Sequence, residues 1–143
     1  MKKISLIVAA AAMSLSSLTL AQSFKEAFDM NRAMYGAGHT FEWNGKMFST
    51  NHIEDALAAK PANKTNAEML LSAAQAKYKE SQEVGFAWRD TSVYIKEAES
   101  ALAAGEFQKS MDFSARAHLQ ARRGVEQFEY AEKHWIDAVP PLK

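Results

Sequence analysis

The segment Ala101-Leu102-Ala103-Ala104-Gly105-Glu106-Phe107 separates two long helix-favouring runs of this 143-residue chain. Upstream, Ala67 to Ala104 contains no proline and a single glycine, Gly85, and apolar residues recur at alternating spacings of three and four. Downstream, the same alternation runs from Phe107 to Trp135. That period is typical of amphipathic helices, and Gly105 favours a sharp turn because glycine accepts left-handed backbone angles. The sequence therefore predicts an antiparallel helical hairpin, with Gly85 as the point where its first arm could bend or break.

A smaller module precedes the helical hairpin. Ser23 and Glu26 have the spacing of a capping box, which predicts a helix from Phe24 to about residue 35. The segment Thr40–Ser49 is strand-like and contains Asn44-Gly45, the dipeptide that favours a type I′ turn. An isolated two-stranded hairpin is marginal in water, so we expect this one to pack on a helix.

Cap signals divide the remainder of the chain. Asn51 is positioned to cap a short helix from His52 to about Ala59, and a second capping box, Thr65 to Glu68, is positioned to open the first long arm. The predicted fold is mainly α: an antiparallel helical hairpin with a short N-terminal helix and a small β-hairpin. The predicted organisation is a signal peptide over 1–21, the helix and β-hairpin module over 22–62, the helical hairpin over 63–139 and a tail over 140–143.

The first residues have the pattern of a secretory signal peptide. Lys2 and Lys3 precede the apolar run from Ile4 to Met13, and the small residues Thr19 and Ala21 stand at the −3 and −1 positions of a cleavage site after Ala21. No cysteine follows the run, so a lipoprotein is excluded. We therefore expect a periplasmic or secreted protein that does not span the membrane after cleavage.

Charge and cysteine content exclude several classes of function. Seventeen basic residues balance seventeen acidic ones, and cleavage would leave an excess of two acidic residues, so there is no electrostatic surface for nucleic acid. The chain has no cysteine, which excludes disulfides, iron–sulfur clusters and covalently attached haem.

The residues that could carry chemistry do not form a recognisable set. His39, His52, His118 and His134 lack metal-ligand spacing, and no serine lies in a nucleophile motif, so we expect no enzymatic activity and no cofactor. His118, which lies on the apolar stripe, is interpreted as a packed histidine and His134 as a surface one. The alternative is a non-covalent haem held in the bundle by ligands drawn from Met69, Met111, His118 and His134.

Aromatic residues are more numerous than one helical seam can bury. Phe86, Trp88, Tyr130 and Trp135 are among the aromatic residues of the two arms, and some must contact the β-hairpin, a second copy or a partner protein. A basic run at Arg116, Arg122 and Arg123 is interpreted as a solvated face paired with Glu126 and Glu129, or as a docking surface for an acidic partner.

The segment Phe86-Ala87-Trp88-Arg89-Asp90-Thr91, followed by Ile95–Phe107, resembles the SoxXA-binding protein family. The likeness covers about residues 72–130. It implies a small periplasmic helical protein that associates with the c-type cytochrome complex of thiosulfate oxidation.

The sequence thus favours a non-enzymatic periplasmic accessory protein that docks a protein partner, with a c-type cytochrome as the partner that the resemblance implies. The candidate contact residues are Trp88, Arg89, Asp90, Arg122 and Arg123, although Trp88 and Thr91 also fit the stripe and are equally compatible with a core position. The alternatives are a structural or self-assembling helical-hairpin protein of the envelope, which would form homo-oligomers, and a carrier of haem or another small ligand.

Overall fold

A computed structural model describes residues 23–140, so the predicted signal peptide and most of the predicted tail lie outside the described residues. The described chain is mainly α with one two-stranded antiparallel sheet, which confirms the predicted fold class. In chain order the elements are α1 (Phe24–Tyr35), β1 (Thr40–Trp43), β2 (Lys46–Ser49), α2 (Ile53–Ala58), α3 (Lys64–Glu83), α4 (Thr91–Ala103), α5 (Phe107–His134) and a 3₁₀ turn (Trp135–Ala138).

The N-terminal module forms as its local signals predict. The Ser23 hydroxyl accepts from the Glu26 amide at 3.2 Å, and the Glu26 carboxylate accepts from the Ser23 amide at 2.9 Å. Strands β1 and β2 are joined at Asn44 and Gly45, whose φ angles of 49° and 74° are those that a type I′ turn requires. Both the capping box and the hairpin turn are confirmed.

An aromatic cluster holds the β-hairpin against α1. The Phe24 ring lies 4.8 Å from Phe48 and 5.4 Å from Trp43, measured between ring centroids, and both pairs meet edge to face. Phe41, which is buried, completes the cluster from β1. The hairpin therefore obtains from α1 the apolar partner that a two-stranded sheet needs.

Two of the predicted caps are wrong by one or two residues. The cap of α2 is His52 rather than Asn51, because the Asp55 carboxylate reaches back to the His52 amide at 2.8 Å. The cap of α3 is Asn63, whose side chain accepts from the Asn66 amide at 2.9 Å, so Thr65 lies inside the helix instead of capping it. In each case another side chain satisfies the free amides of the first turn.

The long first arm is two helices, and together with α5 they form a three-helix bundle. Gly85 adopts φ 77°, a left-handed angle that ends α3 and reverses the chain. Leu70 packs near Met111, while Ser81 lies beside Gly124, so α3 runs parallel to α5. Thr91 bonds to Gln120 and Ala98 bonds to Ser110, so α4 runs in the opposite direction to α5. The predicted hairpin at Gly105 therefore joins α4 to α5, and a second reversal occurs at the 84–90 loop.

The bundle core consists largely of small side chains around α5. Ala74, Ala98, Ala117 and Ala121 have no exposed surface, and Met111 is the largest side chain that is fully buried. Small residues at these positions let the helix backbones approach closely. Most of the packing contacts of α3 and of α4 are with α5, which is the central element of the fold.

Candidate docking groove at the 84–90 loop

The loop between α3 and α4 is tied to both α3 and α5. The Phe86 amide donates to the Ser81 carbonyl at 2.9 Å, and the Phe86 ring meets Phe128 edge to face at 5.8 Å. A Cβ atom added to Gly124 would lie 2.2 Å from the Phe86 carbonyl oxygen. Only glycine fits at position 124, because the loop backbone crosses α5 there without room for a side chain.

This anchoring places Trp88 on the surface of α5. Its indole Nε1 donates to the Gln127 side chain at 2.9 Å, and 39% of the residue stays exposed. The sequence left open whether Trp88 belongs to the core. The structure places it at the boundary, with a satisfied N–H and a ring that faces solvent in part.

A groove of about 400 Å³ opens beside the Trp88 ring. Most of its surface is apolar, and its lining combines aromatic, charged and amide side chains. It is lined by Lys25, Trp88, Arg123, Glu126, Gln127 and Tyr130. The groove therefore joins α1, the 84–90 loop and the second half of α5, three elements that are far apart in the sequence.

Arg89 and Asp90, in the same loop, form an exposed ion pair. Arg89 Nε donates to Asp90 Oδ1 at 2.7 Å, and the side chains are 91% and 51% exposed. The hydrogen bond with Arg89 lowers the pKa of Asp90, and the Asp90 carboxylate raises the pKa of Arg89. Both groups therefore stay ionised and accessible beside Trp88.

Arg122 does not line the groove. Its predicted ion pair with Glu126 is present, and it also binds Glu54, a partner that the sequence did not indicate. Its guanidinium binds the Glu54 carboxylate with two hydrogen bonds, Nε to Oε1 at 2.8 Å and one terminal nitrogen to Oε2 at 3.0 Å. Its other terminal nitrogen bonds Glu126. The Glu54 bonds raise the pKa of Arg122 well above its usual range.

Glu54 is a buried carboxylate, with 2% of its side chain exposed, and links α2 to α5. Burial alone would raise its pKa, but hydrogen bonds from His118 and Arg122 outweigh burial and hold the pKa far below the usual value. His118 Nδ1 lies 2.8 Å from Glu54 Oε1, an arrangement that assigns the proton to Nδ1 because a carboxylate only accepts. The prediction that His118 is a packed histidine is confirmed.

The same charged cluster fixes Arg123 at the groove. Glu126 accepts from Arg123 at 2.9 Å through the carboxylate that also binds Arg122. Of the predicted contact residues, Trp88 and Arg123 line the groove and Arg89 and Asp90 stand next to it, whereas Arg122 points into the Glu54 cluster.

Comparison of the chain with protein-family models, with curated proteins and with solved structures returned no match. The resemblance of the 72–130 segment to the SoxXA-binding family therefore stays a prediction.

The candidate haem ligands are occupied or dispersed. Met111 is buried among Ala67, Leu70 and Ala115, and His118 is bonded to Glu54. Met69 is exposed on α3, and His134 stacks on Tyr130 at 4.0 Å.

Within residues 23–140, no cluster of three or more histidine, aspartate or glutamate side chains is placed to hold a metal ion. Among the same residues, no helix combines the length and apolar character needed to cross a bilayer.

Sequence reasoning missed Gln127, Lys25 and Glu54. No local signal marks Gln127 or Lys25, since each belongs to the groove only through the tertiary fold. His118 did carry a signal for Glu54, because a histidine on an apolar stripe needs a polar partner and an acidic residue is the strongest one.

Proposed function

We propose that this protein is an exported, non-enzymatic accessory protein that docks a partner protein at the Trp88 groove. The partner is a c-type cytochrome complex of thiosulfate oxidation. The observation that carries the proposal is the placement of Trp88: half in contact with α5, hydrogen-bonded by Gln127, and exposed at the edge of a groove beside Arg123 and Arg89.

The residue types support a protein partner rather than a small substrate. Tryptophan, tyrosine and arginine are the residues that most often dominate the binding energy of protein interfaces. Here Trp88 and Tyr130 supply apolar area, while Arg123 and Lys25 supply positive charge. The groove is a shallow surface feature without a convergent set of catalytic groups, which is typical of a docking site.

Preorganisation supports the same proposal. Trp88 is held by Gln127, the loop is held by Gly124 and Phe128, and Arg123 is held by Glu126. A partner that binds side chains already in place loses little conformational entropy in ordering them. The choice of a cytochrome as partner is supported by the Trp-Arg-Asp-Thr resemblance, and export is supported by the basic and apolar pattern of the first 21 residues.

A pull-down from the periplasm of the native organism, grown with and without thiosulfate, tests the proposal. The tagged protein is expected to recover a haem-stained c-type cytochrome from thiosulfate-grown cells, and the purified pair should then bind in isothermal titration calorimetry. Trp88→Ala and Arg89→Ala are expected to weaken binding by about tenfold or more each, as for residues at the centre of an interface.

Matched controls separate the groove from the rest of the surface. Trp135→Ala removes an exposed tryptophan that does not line the groove, and Arg116→Ala removes an exposed arginine on another part of α5. Both should bind as the unchanged protein does. Binding that survives Trp88→Ala and Arg89→Ala, or no cytochrome at all in the pull-down, would contradict the proposal.

A further inference from the structure

A cavity separates α2 from the first half of α3, away from the docking groove. Both helices pack on α5 but make little direct contact with each other. The space that they leave measures about 140 Å³. It is lined by Leu57, Lys60, Asn66, Met69, Leu70 and Ala73, none of which lines the Trp88 groove. The cavity is therefore distinct from the surface proposed above for the partner protein.

The inner wall of the cavity is apolar and belongs to the core. Leu57 and the buried Leu70 pack in the same apolar cluster as Met111. Most of the surface of the cavity is apolar as well. Met69 also lines it and is 63% exposed, so the cavity opens to solvent beside a side chain that adapts readily to the shape of its neighbours.

Hydrogen bonds fix the frame of the cavity. The Pro61 carbonyl accepts from Asn66 Nδ2 at 2.9 Å and from Asn63 Nδ2 at 3.2 Å, which holds the chain between α2 and α3. Gln108 Nε2 donates to the Ala58 carbonyl at 3.0 Å and holds the end of α2 on α5. Because the walls are already in place, a ligand loses little affinity in ordering them.

We infer that this cavity binds a small apolar molecule that carries one carboxylate, of the size of benzoate. The volume limits the size, since an apolar cavity of about 150 Å³ holds a benzene ring, whereas drug-sized ligands need roughly 300 Å³ or more. The charge follows from Lys60, the one charged side chain of the lining, which has no ion-pair partner within residues 23–140. An ammonium beside an apolar wall suits a ligand whose ring packs on Leu57 and Leu70 and whose carboxylate accepts from Lys60.

An NMR titration of the isotope-labelled protein with benzoate tests this inference. The amide resonances of residues 57–73 should shift and saturate, with a dissociation constant of about 1 mM or lower, as a ligand of this size can give. Benzyl alcohol keeps the ring without the charge and should bind about threefold to fivefold more weakly, which is the effect of an exposed ion pair. Acetate lacks the ring and should not saturate the site.

Two variants with matched controls locate the ligand. Ala73→Leu fills the cavity from an exposed position and should abolish benzoate binding, whereas Ala76→Leu makes the same change at an exposed position of α3 outside the cavity and should bind normally. Lys60→Gln should weaken benzoate to about the affinity of benzyl alcohol. Lys79→Gln, further along α3, should leave benzoate binding unchanged.

Each result supports or overturns the inference. Shifts that do not saturate, or benzoate binding that Ala73→Leu leaves unchanged, would overturn the site. Equal affinities for benzoate and benzyl alcohol, or no effect of Lys60→Gln, would overturn the charge of the ligand. Circular dichroism of each variant shows that its helices are intact. None of these variants changes a residue that lines the Trp88 groove, so the cytochrome assay and this one fail separately.

Discussion

Replacing Gly124 with alanine is expected to displace the loop that carries Trp88. The new methyl carbon would lie 2.2 Å from the Phe86 carbonyl oxygen and 3.2 Å from its carbonyl carbon. Carbon and oxygen atoms normally approach no closer than about 3.3 Å, so the two backbones must separate by about 1 Å. Such a shift would break the 2.9 Å hydrogen bond between Trp88 and Gln127.

Two opposing effects decide the change in stability. Alanine is favoured over glycine inside a helix by about 1 kcal/mol. Against that, overpacking at a tight contact costs about 1–3 kcal/mol. The Phe86 backbone is itself bonded to Ser81 and cannot yield freely. We therefore expect the free energy of unfolding to fall by about 1 kcal/mol, with a larger effect on the loop than on the bundle.

Urea denaturation measures the change in the free energy of unfolding, and tryptophan emission measures the displacement of the loop that carries Trp88. The assay uses a background in which Trp43 and Trp135 are phenylalanine, so that Trp88 alone reports. Gly124→Ala should shift the native emission of Trp88 to the red and weaken partner binding. An unchanged emission spectrum, with stability raised by about the helix-propensity difference, would refute the reasoning.

Three further predictions concern the buried cluster and the hairpin. Glu54→Gln should lower the free energy of unfolding by about 2–3 kcal/mol in urea titrations, because Arg122 loses a buried counter-charge and keeps only Glu126. The control, Glu126→Gln at a half-exposed site, should lower the free energy of unfolding by less than about 1 kcal/mol. Because the folded state lowers the pKa of Glu54, the stability that this group contributes is complete above about pH 4.5 and is lost as the pH falls below that value. The urea midpoint should therefore drop between about pH 5 and pH 3, and the drop should be shallower in Glu54→Gln; equal slopes would contradict the assignment. Asn44→Ala removes the short polar side chain that lets asparagine tolerate the left-handed φ of 49°, and it should cost about 1 kcal/mol, seen as a lower melting temperature by Trp43 emission. Lys46→Ala, two residues further on, should change little.

The fold was predictable where the signal is local. Ser23 and Glu26 specify the start of α1, and Asn44-Gly45 specifies the hairpin turn, because these residues satisfy their own neighbours. The reversal at Gly85 was harder to predict. Apolar spacing continues through Trp88 and Thr91 as if one helix ran on, and only the contacts of α3 with α5 show that the chain turns back there.

The candidate site also contains residues that the sequence indicates and residues that only the tertiary fold brings together. Trp88 stands out by its residue type, and Arg123 by its charge and its place on α5. Lys25 and Gln127 join them through the tertiary fold, which no spacing rule reports. The sequence predicted the ion pair of Arg122 with Glu126, one turn away, but not its second partner, Glu54, which is 68 residues distant. A contact of that sequence separation leaves no periodic signal.

The central position of α5 has a consequence for the order in which the protein can form. A ribosome releases the N-terminal end first, so α3 and α4 leave it before the helix on which both of them mainly pack. Until residues 107–134 have emerged, the two helices have little apolar surface to cover each other, and isolated helices of their length are marginal in water. The three-helix bundle therefore forms only after residues 107–134 have emerged, which makes α5 the last helix that the bundle waits for.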